Sequence, residues 1–265
     1  NWPTKRHVLA LGRLLLPPIM LLHSVFQRPA RWLGQHWART PPQPEMLDSE
    51  DVDELKYLGE TAQGTPVWSN LGYVESDFKI VIGNIEPHQF AGFSGGVKSA
   101  AVGLAGLETI NYNHALMTHP ASQLGEYDTN PARQDIEEIG QKIDVHLALN
   151  AILNQDKQIV QVLAGDPVAV MRAAIPISRD ICQVAVSEKY GLMISSPGGH
   201  PKDINIYQAQ KGLAHAARVT RPGGTIILAA ACPEGTGSSH YEDWALGKES
   251  YEDVIEQFKA DGFRI

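Results

Sequence analysis

Phe78-Lys79-Ile80-Val81-Ile82 is the stretch that decides the fold, because it is a compact apolar and β-branched run that ends at Gly83. A run of this kind, closed by a glycine, predicts a buried β-strand. A glycine-rich loop follows, and the pattern then predicts a helix near Lys98–Gly106. A strand, a loop and a helix in this order begin a βαβ unit and indicate an α/β fold.

A second unit of the same kind lies further along the chain. Its pattern predicts a strand at Gly191–Ser195, a loop at Pro197–Pro201, a helix at Ile204–Val219 and a strand at Thr225–Ala230. Between the two units we predict helices at Asn130–Gly140 and Asp166–Ala174, and strands at Val145–Leu153 and Gln158–Leu163. We therefore predict two α/β domains with mostly parallel sheets, residues 45–186 and a partial domain 187–265, with the active site in the crevice between them.

Composition excludes several classes of protein. The chain has 265 residues, with 22 basic and 30 acidic side chains and a net charge of -8. This balance argues against a nucleic-acid partner, which would need a basic face. The two cysteines, Cys182 and Cys232, are too few for a disulfide scaffold or a cysteine-rich zinc site. Ten histidines leave metal binding through imidazole open.

Residues 1–44 differ from the rest, since they hold no Asp or Glu but seven of the 17 prolines. Val8–Phe26 is apolar enough to suggest a membrane span or a signal segment, but Arg13, Pro17-Pro18 and His23 interrupt it. A basic arm for a partner and a stretch not native to the fold are the other interpretations. We expect this atypical segment not to pack in the α/β core, the chain to be truncated at both ends, and the protein to be cytoplasmic with no membrane partner.

The loop Gly83–Ser99 begins where the first predicted strand ends, the usual place for an α/β active site. Gly95 and Gly96 let the backbone approach a ligand closely and expose N–H groups to an anion. Lys98-Ser99 is similar to the end of a nucleotide-binding P-loop, but Val97 stands where that motif has glycine. A nucleotide-binding protein is therefore the less favoured alternative.

Four polar residues near these loops have two interpretations each. His88 follows Pro87 at the strand end, and His114 lies 16 residues after Lys98. Each is either an ordinary structural histidine or a functional group, and the spacing alone does not decide. Gln208 and Lys211 share one face of the predicted helix, as a solvated pair or as a ligand-binding pair.

The motifs taken together resemble one family, the nickel-pincer lactate racemases and their relatives. The matching segments are Gly83–Lys98, Glu108-Thr109-Ile110, Asn113-His114, Gly199–Asp203, Tyr207-Gln208 and Lys211, in the order and at the spacings of that family. The resemblance covers residues 45–265 and implies an isomerase that racemises or epimerises lactate or a related 2-hydroxy acid. It also implies cofactor-maturation proteins as partners.

The resemblance implies a nickel-pincer nucleotide as cofactor, that is, pyridinium-3,5-bisthiocarboxylic acid mononucleotide with nickel (Ni). Lys98 matches the lysine that binds this cofactor covalently, and Gly95 and Gly96 lie in the adjoining loop. His114 matches the histidine that completes the coordination of nickel. The sulfur ligands come from the cofactor, which explains how a chain with two cysteines could hold a sulfur-ligated metal.

The resemblance also implies roles toward the substrate. His88 matches one of two histidines that exchange protons with the hydroxyl group, and an imidazole of near-neutral pKa suits that task. Gln208 and Lys211 match residues that hold the substrate or the cofactor end of the site. Reversible hydride transfer to the pyridinium gives a flat 2-keto acid, which can take the hydride back on either face.

Two elements of the family pattern are missing from this chain. Nothing matches its Ser-Asp-x-Thr-Arg-Pro segment, and its second catalytic histidine, in a Gly-x-His-Arg turn, has no counterpart after Gly12, where Arg13-Leu14-Leu15 follow. We therefore expect the chain as given to be nearly inactive. An inactive or cofactor-binding relative is the alternative to a racemase.

Overall fold

The computed structural model of the chain describes residues 9–11, 49–237 and 239–262. The strands are β1 (Leu9–Leu11), β2 (Leu55–Glu60), β3 (Pro66–Asn70), β4 (Ile80–Asn84), β5 (Pro87–His88), β6 (Gly92–Phe93), β7 (Leu147–Leu153), β8 (Ile159–Gly165), β9 (Tyr190–Ser195) and β10 (Thr220–Leu228). The helices are α1 (Leu71–Val74), α2 (Lys98–Ala101), α3 (Leu107–Ala115), α4 (Pro131–Ile143), α5 (Pro167–Cys182), α6 (Ile206–Ala209), α7 (Lys211–Val219), α8 (Ser239–Ala245) and α9 (Tyr251–Asp261). Two short 3-10 helices span Val52–Glu54 and Leu116–Thr118.

The first half of the chain is built on a four-stranded sheet with the order β1-β8-β7-β4. Strands β4 and β7 are parallel, with Gly83 opposite Asn150. Strands β7 and β8 are antiparallel, and β1 also pairs with β8 in the antiparallel direction. The sheet is therefore mixed where we expected mostly parallel pairing, because the Asn154–Lys157 turn is too short for the crossover that parallel strands need.

The core of this half lies between one face of the sheet and helices α4 and α5. Strand β7 alternates, so that Ala148, Asn150 and Ile152 are buried and their neighbours are not. Burying each large aliphatic side chain stabilises the fold by about 1.5–3 kcal/mol. The principal partners from the two helices are Ile136, Ile139, Val170, Met171 and Ala174.

The second half contains the parallel pair β9 and β10, against which α7 packs. The predicted helix Ile204–Val219 is broken at Gln210, so that it forms α6 and α7. The side chain of Asn205 caps α6 by accepting from the N–H of Gln208 at 2.9 Å. These two short helices carry the residues that the second half brings to the cleft.

The α/β class is confirmed, whereas the proposed division at residues 44 and 186 stays a prediction. We expected the atypical segment not to pack in the α/β core, which is wrong for Leu9–Leu11, because these residues pair with β8 as the edge strand β1. The other residues of the atypical segment, including most of the apolar stretch Val8–Phe26, lie outside the described residues. In the part of the chain that the structure describes, no helix is long and apolar enough to cross a membrane.

Candidate active site

The glycine-rich loop is tied to the carboxyl ends of β4 and β7. The hydroxyl of Ser94 donates to the carbonyl of Asn84 at 2.9 Å, and the N–H of Gly96 donates to Oδ1 of Asn150 at 2.9 Å. Asn150 is fully buried at the register position opposite Gly83. The loop thus folds back over the edge of the sheet and brings Lys98, the first residue of α2, to the site.

Gly95 and Gly96 are needed for reasons internal to the chain. Their φ angles are 79° and 59°, a region that favours glycine. A Cβ on Gly95 would lie 2.4 Å from Ile85, and one on Gly96 would lie 2.7 Å from Met171. These glycines therefore face other parts of the protein. We expected the N–H of Gly96 to be exposed to an anion, but it donates to Oδ1 of Asn150 instead.

A buried arginine holds the same loop from the other side. Arg133 on α4 is 0% exposed, and it donates to the carbonyls of Phe93 at 2.9 Å and Gly95 at 3.2 Å. Its charge is paired with Glu137, whose Oε1 accepts from Nε at 2.9 Å and also from the hydroxyl of Tyr127 at 2.9 Å. A buried charge requires such pairing, and the result is a loop fixed at two carbonyls.

Phe90 separates the two histidines assigned by resemblance. Its ring lies 4.9 Å from His88 and 4.9 Å from His114 between centroids, edge-on to both. Asn130, the N-cap of α4, donates to the carbonyl of Phe90 at 2.7 Å and is itself fully buried. Edge-on aromatic contacts are favourable, so the three rings form one packed group.

The environment of His88 disfavours the charged ring. Burial, as the largest cause, and the nearby charges of Lys98, Lys211, His114 and Arg133 together lower its pKa from 6.5 to about 3. Our prediction of a near-neutral pKa for His88 is wrong. The sequence alone did not reveal that this imidazole is buried and that the charges of Lys98 and Lys211 act on it. Charges from both halves of the chain, Lys98 from the first and Lys211 from the second, therefore act on His88.

Lys98 and His114 are also shifted toward their neutral forms. Burial lowers the pKa of Lys98 to about 8, with the charges of Arg133 and Lys211 as further causes. Burial lowers the pKa of His114 to about 4, with the charge of Lys98 as the next cause. A neutral imidazole is the form that binds metal, and a neutral amine is the form that acts as a nucleophile.

Gln208 and Lys211 contact each other across the break between α6 and α7. Nζ of Lys211 donates to Oε1 of Gln208 at 2.6 Å. Both line a cleft of 1160 Å³ that is also lined by His88 and by other residues of both halves, in agreement with the predicted crevice. Lys98 and His114 do not line this cleft, although the charges of both act on His88.

No group of three or more His, Cys, Asp or Glu side chains among the described residues is arranged to hold a metal ion. A metal at His114 would therefore not find two further ligands of these kinds among the described side chains. A neutral imidazole suits a single protein ligand to a borderline metal such as nickel. The donor set is thus compatible with a cofactor that brings its own ligands.

Comparison with known proteins gives the same family twice. Residues 42–125 match the family described as "Lactate racemase N-terminal domain", and residues 186–262 match the "Lactate racemase C-terminal domain". Together the two matches cover more than half of the chain.

The chain belongs to the lactate racemase family. It is 30% identical over 217 residues to a lactate racemase of Thermoanaerobacterium thermosaccharolyticum, covering 81% of this chain and 51% of that protein. It is 32% identical over 195 residues to a lactate racemase of Lactiplantibacillus plantarum, covering 73% and 46%. The chain thus spans about half the length of these lactate racemases.

Solved structures agree with the lactate racemase fold. The lactate racemase apoprotein from Thermoanaerobacterium thermosaccharolyticum superposes with a TM-score of 0.78 at 28% identity, covering 88% of this chain and 57% of that chain. A protein from Thermotoga maritima superposes with a TM-score of 0.63 at 18% identity, covering 86% and 62%. The second likeness shows the fold alone.

Sequence reasoning missed several residues of this lactate racemase-like site. Arg133 and Asn150 are both fully buried and hold the loop, and arginine is almost never predicted to be buried. Phe90 lies within the predicted loop Gly83–Ser99, but its place in the sequence did not indicate a role. His215 and Arg218 also line the cleft, and their spacing of four and seven residues from Lys211 could have suggested a shared helix face.

Proposed function

We propose that this chain carries the active-site core of a 2-hydroxy acid racemase or epimerase that uses a nickel-pincer nucleotide. The observation that carries the proposal is the convergence at one place of the family-matched groups. His88, Lys98 and His114 come from the first half and Lys211 from the second, and the charges of the other three all act on His88. The family membership supports the same reaction class.

Lys98 and His114 would hold the cofactor. Lys98, with a pKa of about 8, has a larger neutral fraction near physiological pH than an ordinary lysine, as a covalent attachment point requires. His114, with a pKa of about 4, is a neutral imidazole at physiological pH, which is the form that would bind nickel. When bound, the cofactor supplies a reversible acceptor for the substrate hydride.

Lys211 and Gln208 would hold the substrate carboxylate. Their side chains already contact each other at 2.6 Å, so the ammonium group and the amide point to the same part of the cleft. An ammonium and an amide can both donate to carboxylate oxygens. In this proposal the hydroxyl-bearing carbon of the substrate would lie toward His88, which lines the same cleft.

His88 would exchange the proton of the substrate hydroxyl. Its Nδ1 accepts from the N–H of Ala91 at 3.3 Å, so Nε2 carries the hydrogen in the neutral ring. Proton acceptance at Nε2 requires the other tautomer and the loss of that long hydrogen bond. A carboxylate bound at Lys211 would offset one cause of the low pKa and bring His88 closer to the range of a useful base.

The experiment is production of the chain together with cofactor-maturation proteins, followed by intact mass and nickel analysis. We expect an adduct of the cofactor mass and bound nickel in the wild type. Lys98→Ala should remove the adduct, whereas Lys157→Ala, an exposed lysine in the Asn154–Lys157 turn, should keep it. An adduct that survives at full occupancy in Lys98→Ala would overturn the assignment.

Turnover separates a racemase from a cofactor-binding relative. Because we expect the chain as given to be nearly inactive, each pure enantiomer of lactate is incubated with the loaded protein in which a Gly-x-His-Arg turn is restored after Gly12, and both enantiomers are quantified by chiral chromatography. Conversion of either enantiomer to the racemate supports the proposed reaction. An adduct and nickel without conversion would assign the chain to the cofactor-binding class.

A further inference from the structure

The cleft continues past Gln208 and Lys211, and its walls are rich in basic side chains. Its lining holds four cationic residues and two carboxylates, in addition to two histidines. An excess of positive charge in a cleft with low-dielectric walls concentrates anions. The cationic residues are Arg179, Lys202, Lys211 and Arg218, the carboxylates are Glu86 and Glu126, and the histidines are His88 and His215.

One wall of the cleft is a face of helix α7. Lys211, His215 and Arg218 occupy positions i, i+4 and i+7, which share one helix face. With a rise of about 1.5 Å per residue, His215 lies about 6 Å and Arg218 about 10 Å beyond Lys211 along the helix. Lys202 belongs to the same wall, since its charge acts on both Lys211 and His215.

Helix α5 also supplies an arginine to the lining of the cleft. Nη2 of Arg179 on α5 donates to the carbonyl of Gly125 at 2.6 Å, and its guanidinium lies 5.7 Å from the centroid of the Phe93 ring. The two halves also contact each other here, because Nη1 of Arg218 donates to Oε1 of Gln123 at 3.5 Å. Basic groups from α5 and α7 therefore line the same cleft.

The positive charge in this space is only partly compensated. Burial lowers the pKa of His215, and the charges of Arg218 and Lys202 lower it further. Burial lowers the pKa of Lys211, the charge of Glu86 raises that pKa, and the charge of Lys202 lowers it. A bound anion would offset the repulsion among these cations, so binding would be favoured by the site's own charge.

We propose that the part of the cleft lined by Arg179, Lys202, His215 and Arg218 is a second anion subsite, which binds a second carboxylate of the substrate. The inference rests on the proposed function, in which Gln208 and Lys211 hold the first carboxylate. The spacing of about 6 Å between Lys211 and His215 along the helix is one that a short carbon chain spans. The substrate class is therefore a short 2-hydroxy diacid.

The construction of the subsite favours a carboxylate over a phosphate. Phosphate sites are commonly built from backbone N–H groups at helix starts and glycine-rich turns. Here His215 and Arg218 lie on the body and last turn of α7, and Arg179 lies in the last turn of α5. Guanidinium groups bind carboxylates in a fork geometry, which suits the end of a diacid.

The test is calorimetric titration of the purified chain with succinate and with butyrate, which match in carbon number. Succinate should bind at least about tenfold more tightly, because only the diacid reaches both basic positions. The difference should shrink as salt is raised. Equal affinities for the two acids would overturn the inference, as would a site that binds ribose 5-phosphate but not succinate.

Two variants identify the residues. In the double variant His215→Gln, Arg218→Gln, succinate affinity should fall to the level of butyrate while butyrate affinity stays unchanged. Arg172→Gln, which alters an exposed arginine of α5 outside the cleft, should leave both affinities unchanged. A succinate preference that persists in the double variant would place the second carboxylate elsewhere and overturn the assignment.

The two proposals fail in different ways. Succinate has no hydroxyl group, so its binding does not depend on the cofactor or on turnover. Succinate preference without an adduct at Lys98 would support the subsite and reject the proposed function. Racemisation of lactate together with equal binding of succinate and butyrate would support the function and reject the subsite.

Discussion

Arg133 donates from Nη1 to the carbonyl oxygen of Phe93 at 2.9 Å, so that a guanidinium on α4 fixes a loop 40 residues earlier in the chain. The same side chain reaches the carbonyl of Gly95, two residues further along that loop. The position of Lys98 is thereby set by an element that does not itself border the cleft. The first prediction follows from this dependence.

Replacement of Arg133 by methionine should destabilise the protein by about 3–5 kcal/mol, since it leaves Glu137 buried without its cation and two loop carbonyls without donors. Urea unfolding followed by circular dichroism measures the change. Arg172→Met is the matched control, because its partner Asp128 is exposed and such pairs contribute at most about 1 kcal/mol. A loss below about 1 kcal/mol in Arg133→Met would contradict the role of the arginine.

Lys98 should react with an amine-directed acylating reagent at lower pH than an ordinary lysine. Its pKa of about 8 means that half of the native side chain is neutral near pH 8. The same lysine in the urea-unfolded chain should follow the ordinary value of about 10.4. Peptide mass spectrometry after brief labelling across pH measures both profiles, and coincident profiles would refute the shift.

His88 should make the stability of the protein fall as the solution is acidified. Its pKa is lowered from 6.5 to about 3, so between these values the unfolded chain binds a proton that the folded chain does not. This contribution is fully present above pH 6.5 and is lost as the pH falls toward 3.

The variant His88→Gln isolates that contribution from other titrating groups. The free energy of unfolding of the wild type minus that of His88→Gln should decrease between pH 7 and pH 4. Urea titrations at several pH values in this window give the difference. A difference that is constant with pH would show that His88 is not held in its neutral form.

Nickel content should depend on His114. In protein made with the maturation proteins, His114→Ala should retain the Lys98 adduct but lose most of the nickel, because the only proposed protein ligand is gone. His119→Ala is the control, since this exposed histidine of the neighbouring turn has no proposed role. Metal analysis that finds equal nickel in both variants would reject the assignment.

Much of the α/β order could be predicted because strands β4 and β7 are apolar and end at clear turn residues. Helix α4 was found from Pro131 and the acidic residues that follow it. Helix α5 runs on to Cys182, eight residues beyond its predicted end, and Pro176 lies within it. Proline ordinarily interrupts a helix, so local sequence could not reveal a continuation that depends on packing against the sheet.

The residues of the candidate site could likewise be predicted only in part from the sequence. His88, Lys98 and His114 could be named because the family pattern occurs in the sequence, although their spacing left each interpretation open. The roles of Arg133 and Asn150 depend on contacts across 40 and 54 residues, which no local pattern encodes. The low pKa of His88 likewise depends on Lys211, which lies 123 residues later in the sequence and reaches it only in the folded protein.

The meeting of two strand-loop-helix units at one cleft makes reactivity and selectivity separable traits. The groups assigned to the cofactor and to proton exchange are Lys98, His114 and His88, which all belong to the first half of the chain. The groups assigned to substrate anions lie mainly on α6 and α7, in the second half. Exchange of the exposed α7 surface between relatives would alter which acids are accepted and leave the reacting centre intact. Divergence within such a lineage can proceed by small changes on one helix.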